Sequence, residues 1–129
     1  MLRLVLAAAL IPLLGQGAYS QGLRAVQALP GYTCMALANP PPATLDPTKG
    51  TPVRNAPSQT APIASWSPSI VLVSVPLQAT SGFLQAVFAD KHTGWIAAAD
   101  LRPWSSPNNP NRRCIPSVMS DGGLGFDFR

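Results

Sequence analysis

The sequence contains no glutamate and only one histidine, which leaves few side chains for acid–base or metal chemistry. Catalysis by a carboxylate pair would have to use aspartates that show no recognisable arrangement, namely Asp46, Asp90, Asp100, Asp121 and Asp127. A zinc site needs three or four ligands at suitable spacing, and one histidine with two widely separated cysteines does not provide it. We therefore expect no catalytic residue, no metal and no cofactor.

Charge of either sign is also sparse. Nine lysines and arginines and five aspartates give the 129-residue chain a formal net charge of +4. The basic residues are scattered, apart from the adjacent Arg112 and Arg113. A nucleic-acid-binding protein normally carries a clustered basic face, so we expect no nucleic-acid partner.

The apolar run from Leu4 to Leu14 is too short for a transmembrane helix, which needs roughly 20 residues. Arg3 precedes it, and Ala18-Tyr19-Ser20 places small residues where a signal peptidase reads. A core helix is the alternative, but the composition soon turns polar and Pro-rich. We expect residues 1–20 to be a signal peptide cleaved after Ser20, which predicts an exported protein with no stable membrane anchor after cleavage.

Two cysteines, Cys34 and Cys114, lie on either side of the strand-rich part of the sequence. In an exported chain an even cysteine count indicates a disulfide, and the ends of a small domain tend to lie close together. Closing a loop of roughly 80 residues should stabilise the folded state by about 4 kcal/mol. We therefore predict a Cys34–Cys114 bridge.

Three segments follow the predicted signal peptide. Residues 21–50 are interrupted by Pro30-Gly31 and contain Asn39-Pro40-Pro41-Pro42, which favours an extended Pro-rich linker over a polyproline ligand. Residues 51–104 consist of short strand-forming runs between turn signals, which is typical of a small all-β barrel or sandwich. The predicted strands are Thr51–Arg54, Ile63–Trp66, a central Ile70–Val75, Phe83–Ala89 and Thr93–Ala97, with a 3₁₀ turn over Ala98–Leu101.

The last segment, residues 105–129, begins with a Ser-, Pro- and Asn-rich stretch that is too polar to pack by itself. We expect Cys114 to tie it back to the rest of the protein. Phe126 and Phe128 alternate about Asp127, so the end of the chain is either an added edge strand or a mobile terminus.

Residues 51–104 contain a series of short motifs: Val53-Arg54, Pro57-Ser58, the strand-opening Phe83, Asp90 in the hairpin turn, Gly94-Trp95 and the closing Leu101. In order and spacing these motifs resemble the bacterial SH3-like (SH3b) domain. Two positions depart from the family pattern, because Lys91 stands where Gly is usual and Ala56 where Gly is frequent. Since lysine tolerates positive φ poorly, Lys91 puts the type of the hairpin turn in question.

The resemblance implies a small, partly open SH3-like β-barrel, here with irregular N- and C-terminal flanks. Together with the signal peptide it implies a secreted or periplasmic bacterial protein. It further implies a non-enzymatic binding module of the cell envelope that recognises peptidoglycan or its peptides. An adaptor for another exported protein is the alternative. A Cys/His wall peptidase is a third, and it would have to use His92 with Cys34 or Cys114.

Large aromatic rings are the candidate binding residues, although a domain this small needs most of them for its core. We expect Trp95 to fill the core, and leave open whether Trp66, beside a Ser-Pro-Ser turn, is exposed. An exposed Trp66 next to Arg54 would form a platform for a peptide or glycan. The candidate binding residues are Arg54, Trp66 and Phe83.

Overall fold

The computed structural model describes residues 22–39 and 50–129, and over these ranges the chain forms ten β-strands and one 3₁₀ turn, Ala98–Asp100. The strands are β1 Ala25–Ala28, β2 Tyr32–Leu37, β3 Pro52–Arg54, β4 Ile63–Trp66, β5 Ile70–Ser74, β6 Phe83–Val87, β7 Thr93–Ala97, β8 Leu101–Pro103, β9 Cys114–Met119 and β10 Leu124–Phe128. Every strand pairing is antiparallel. Within the described ranges no helix is long and apolar enough to cross a membrane.

The larger sheet has seven strands in the order β4-β3-β7-β6-β5-β2-β8. One side of this sheet faces the main buried cluster, and we call it the inner side. Side chains on successive residues of a strand point to opposite sides, so each strand contributes every second residue to that interior. Six of the seven strands do so, and their buried residues form one cluster: Met35, Leu37, Val53, Val71, Val73, Leu84, Ala86, Ile96 and Leu101. The result is the expected all-β, partly open fold.

The smaller sheet has three strands in the order β1-β9-β10 and packs on the outer side of the larger one. The contact is centred on Cys34, Leu72 and Val87, which are buried beneath Leu124, Phe126 and other partly buried apolar residues. The Cys34–Cys114 disulfide joins β2 to β9 across this contact, with 6.2 Å between the two Cα atoms. The predicted bridge is therefore confirmed.

The predicted strands between residues 51 and 97 are confirmed, with ends within two residues of the expected ones. The flanks, however, are not irregular. The N-terminal flank supplies β1 and β2, and β2 lies inside the larger sheet between β5 and β8. Pro30-Gly31 forms a tight turn between β1 and β2, in which Gly31 has φ 86°.

The C-terminal segment supplies β9 and β10, so of the two alternatives for the end of the chain the structure has the edge strand. Neither flank forms this sheet alone, because its middle strand, β9, lies between one strand from each end of the chain. The predicted signal peptide and nearly all of the polyproline segment fall on residues 1–21 and 40–49, outside the described residues.

Candidate functional site

Within residues 22–39 and 50–129, the smaller sheet packs on only part of the outer side of the larger sheet. Arg54 of β3 is the register partner of Trp95 of β7, and Trp95 is in turn the partner of Gln85 of β6. Directly opposed side chains lie on the same side of a sheet. Their sequence neighbours Val53, Leu84 and Ile96 are in the inner cluster, so these three side chains point outward. The smaller sheet covers β2, β5 and Val87 at the end of β6 instead, and Gln85 is exposed.

A cleft of about 250 Å³ opens at one end of this outward side. Its lining is Pro52, Arg54, Gln59, Phe83, Ala97 and Asp100. Pro52 and Arg54 come from alternate positions of β3, and Phe83 and Ala97 are paired across the β6–β7 hairpin. The cleft therefore combines an arginine, an aspartate and an amide with an apolar wall, and we call it the Arg54 cleft.

Arg54 is held in place by the loop that connects β3 to β4. Its Nη1 donates a hydrogen bond of 2.9 Å to the carbonyl oxygen of Ala61. Asp100 lines the same cleft, yet among the described residues no ion pair within 4.0 Å joins it to Arg54. An arginine has five N–H donors, so Arg54 keeps donors for a ligand.

Trp66 lies beside this cleft and not in its lining. It is the register partner of Pro52, so its side chain is on the same side of the β3–β4 pair as Arg54, two residues along β3. Trp66 is partly buried. The structure thus brings the two residues of the expected platform to one side of the sheet.

Phe83 is 6% exposed and belongs to neither of the two buried clusters. It forms the apolar wall of the Arg54 cleft. All three sequence-predicted binding residues are therefore near one another, although Phe83 offers only a small part of its ring to a ligand.

The expectation that Trp95 fills the core is wrong. Within β7 the inward positions are taken by Gly94 and Ile96, and Trp95 lies between them, partly buried on the outer side. The reason is close packing at Gly94, where a Cβ would overlap the Cγ1 atom of the fully buried Val53. Glycine is therefore the residue of β7 that packs against Val53, and the neighbouring Trp95 side chain points to the other side of the sheet.

The structure offers His92 no cysteine thiol as a partner for nucleophilic catalysis. Cys34 and Cys114 are bonded to each other, so neither sulfur is a thiolate. His92 is exposed in the β6–β7 turn, where its Nδ1 donates to the Asp90 carboxylate and its ring stacks on Phe88 at 4.6 Å between centroids. That hydrogen bond lowers the pKa of Asp90, and a second one from the His92 backbone N–H adds to the effect.

Lys91, in the same turn, adopts φ 72°, the left-handed conformation that glycine takes readily. The turn therefore keeps the backbone conformation that the usual glycine would allow, and the lysine is the strained residue. No three His, Cys, Asp or Glu side chains in the described ranges are grouped as metal ligands would be.

Sequence reasoning did not identify Pro52, Gln59, Ala97 or Asp100 as cleft residues. Pro52 and Ala97 carry no chemical signal, and Gln59 reaches the cleft only through the path of the β3–β4 loop. Asp100 is one of the five aspartates that show no recognisable arrangement in the sequence. Its position opposite β3 follows from the pairing of β3 with β7. That pairing joins residues about 40 positions apart, which no local pattern indicates.

No protein-family model, curated protein or solved structure matches this chain.

Proposed function

We propose that this chain is an exported, non-enzymatic SH3-like module that binds peptidoglycan or its peptides in the cell envelope through the Arg54 cleft and Trp66. The observation that carries the proposal is the convergence of Arg54, Phe83 and Trp66 on one end of a sheet side that the smaller sheet does not cover. The motifs in residues 51–104 support the SH3-like assignment, and the disulfide is consistent with an oxidising, exported environment.

The chemistry of the Arg54 cleft suits a short peptide or an amide-bearing sugar. Arg54 can donate to a carboxylate or carbonyl, Asp100 can accept from an amine or hydroxyl, and Gln59 can do both. Trp66 supplies a flat apolar surface next to these polar groups, an arrangement common at binding sites. A cleft of about 250 Å³ holds only a few groups, so the ligand would be one residue or ring of a longer polymer.

A protein-adaptor role is the second candidate, and a different observation favours it. Strand β4 ends the larger sheet and carries neither a charged residue nor a proline, while Ile63 is 44% exposed. Such an uncharged edge can pair with an extended segment of another protein. The two candidates share the Trp66 region but predict different ligands.

The test is cosedimentation of the purified protein with peptidoglycan sacculi. We expect the wild type to sediment and Trp66→Ala to lose at least about fivefold in affinity, as truncating a binding aromatic does. Val26→Ala is the matched control, because it truncates another exposed apolar side chain, 54% exposed on the smaller sheet.

If folded Trp66→Ala sediments like the wild type, the Trp66 platform is refuted. Failure of the wild type itself to sediment would remove wall binding and leave the adaptor role. That role would then be tested by crosslinking from position 63 to exported proteins.

A further inference from the structure

A second concave surface lies at the disulfide, away from the Arg54 cleft. It has a volume of about 280 Å³ and is lined by Thr33, Trp104, Arg112, Arg113 and the Cys34–Cys114 bridge, together with Pro103. No residue lines both this surface and the Arg54 cleft. We call it the Arg112–Arg113 pocket.

The local backbone fixes the two arginines in front of β9. The backbone N–H of Arg112 donates to the Asn109 carbonyl at 3.1 Å. Arg113 and Arg129 exchange two backbone hydrogen bonds, of 2.7 and 3.0 Å, which extend the β9–β10 pairing by one residue pair. The next residue, Cys114, is bonded to β2, so the disulfide draws the arginine pair against the larger sheet.

Within the described ranges no ion pair within 4.0 Å joins Arg112 or Arg113 to a carboxylate. Asp127 is the nearby acid in β10, and its carboxylate already accepts a 2.7 Å hydrogen bond from Arg129 Nε. The Arg112 guanidinium lies 5.8 Å from the centre of the Phe128 ring, a cation–π contact that leaves its N–H donors unused. Within the described ranges neither Arg112 nor Arg113 makes a side-chain hydrogen bond to a protein acceptor.

An aromatic wall stands next to these donors. Trp104 contacts Phe128 with 5.3 Å between ring centroids, and Phe128 contacts Phe126 at 6.2 Å. Phe128 remains 37% exposed. No aspartate lines the pocket, so the two guanidinium groups are the charged side chains of its lining.

We propose that the Arg112–Arg113 pocket binds a carboxylate carried by a peptide, with the adjoining apolar group of that peptide against Trp104. The planar fork of a guanidinium matches the two oxygens of a carboxylate, and two forks at one pocket can hold it from two directions. Thr33 of β2 also lines the pocket. The carboxylate is either the C-terminus of the peptide or an acidic side chain. This site is separate from the proposed envelope-binding cleft and does not depend on it.

The test is an NMR titration of the ¹⁵N-labelled, disulfide-bonded protein with three probes. N-acetylalanine carries a terminal carboxylate, N-acetylaspartic acid 1-amide carries only a side-chain carboxylate, and N-acetylalanine amide carries none. We expect one or both carboxylates to bind with a Kd on the order of 1 mM and to shift the Thr33, Trp104 and Arg113 resonances. The tighter of the two identifies the source of the carboxylate, and the amide should shift nothing.

Arg113→Gln and Arg112→Gln should each weaken carboxylate binding about tenfold, since each removes one charged donor fork. Lys91→Gln is the control with the same change in net charge, placed in the β6–β7 turn, and its Kd should stay within about twofold of the wild type. Raising the salt concentration should weaken binding in the wild type.

Equal binding of the amide, or unchanged affinity in the folded Arg112→Gln/Arg113→Gln double variant, would overturn the proposal. So would tighter binding of inorganic phosphate than of either carboxylate. Because none of these measurements involves Arg54 or Trp66, their outcome is independent of the sacculus experiment.

Discussion

Removal of the Cys34–Cys114 disulfide should separate the stabilities of the two sheets. The bridge closes a sequence separation of 80 residues and is the covalent link between β2 of the larger sheet and β9 of the smaller one. Without it, the smaller sheet is held by the apolar contact beneath Leu124 and Phe126. The double variant Cys34→Ala/Cys114→Ala therefore tests how much the fold relies on that link.

The expected magnitude follows from the loop length. For 80 residues the chain-entropy relation gives a loss of about 15 cal/mol/K in the unfolded state, or about 4.5 kcal/mol at 25 °C. Residual structure in the unfolded chain reduces this value, so we expect a loss of about 4 kcal/mol. This loss is a large fraction of the free energy of unfolding of a typical domain, which is about 5–15 kcal/mol.

The measurement is urea unfolding followed by tryptophan fluorescence, on the oxidised wild type, the reduced wild type and the double variant. With a slope of about 2 kcal/mol/M, the midpoint should fall by about 2 M in both bridge-free forms. The reduced wild type keeps both sulfur atoms, so its difference from the double variant measures the packing of the two cysteine side chains, Cys34 being 5% exposed and Cys114 partly buried.

Hydrogen exchange adds a regional readout. Amides of β9 and β10 should lose protection more than those of β6 and β7, because the bridge acts directly on β9. A reduced protein that unfolds within about 0.5 M urea of the oxidised one would refute the loop-closure reasoning. Uniform loss of protection over both sheets would refute the separation of their stabilities.

Three smaller changes test the β6–β7 hairpin and its contact with β3. Gly94→Ala should destabilise the fold by about 1–3 kcal/mol, measured by urea unfolding, because the added Cβ would overlap Val53. Lys91→Gly should stabilise it by up to about 1 kcal/mol by the same measurement, because glycine adopts φ 72° without strain. The lowered pKa of Asp90 means that its hydrogen bonds with His92 stabilise the fold fully above the ordinary value of 3.8 and that this contribution is lost as the pH falls through the lower folded value. In Asp90→Asn the free energy of unfolding should therefore fall less steeply at acid pH than in the wild type. An NMR titration of the wild type should place the pKa of the Asp90 carboxyl below 3.8.

Each of these has a matched control. Val53→Ala makes room for the new methyl group, so the Gly94→Ala/Val53→Ala pair should cost less than the sum of its parts, and strict additivity would contradict the overlap. Lys91→Ala removes the side chain but keeps the Cβ; if it stabilises as much as Lys91→Gly, positive φ is not the cause. An unchanged acid limb in Asp90→Asn would show that the His92 contact has no effect on stability.

Local pattern was sufficient for most of the larger sheet. Ile63–Trp66 and Thr93–Ala97 have the predicted ends, and Ile70–Ser74 is the buried run expected of a central strand. These segments are recognisable because β-branched and aromatic residues lie between strong turn signals. The flanks were missed because Tyr32–Leu37 has no alternation: its side chains are buried on both sides, against the inner cluster and beneath the smaller sheet.

The candidate site was predictable in its members but not in its geometry. Arg54, Trp66 and Phe83 were identified by residue type and by the family resemblance. Their convergence depends on the register that pairs Pro52 with Trp66, Arg54 with Trp95 and Phe83 with Ala97. A shift of one residue would reverse the side on which each lies. The size of its ring favours a core position for Trp95 in a domain this small, but residue type does not show which side of the strand the ring takes.

By itself the sequence determined an all-β chain, the pairing of its only two cysteines and the positions of the turns, because these depend on residue type and on short-range spacing. Only the tertiary structure decided which surfaces remain open. The smaller sheet, built from both ends of the chain, packs on β2, β5 and Val87 of β6, and not on the outward residues Arg54 and Trp95. The disulfide carries Arg112 and Arg113 to the edge of the larger sheet. Both outcomes depend on contacts between segments that are distant in the sequence. Such contacts form only when the whole chain has folded, so no local pattern predicts them.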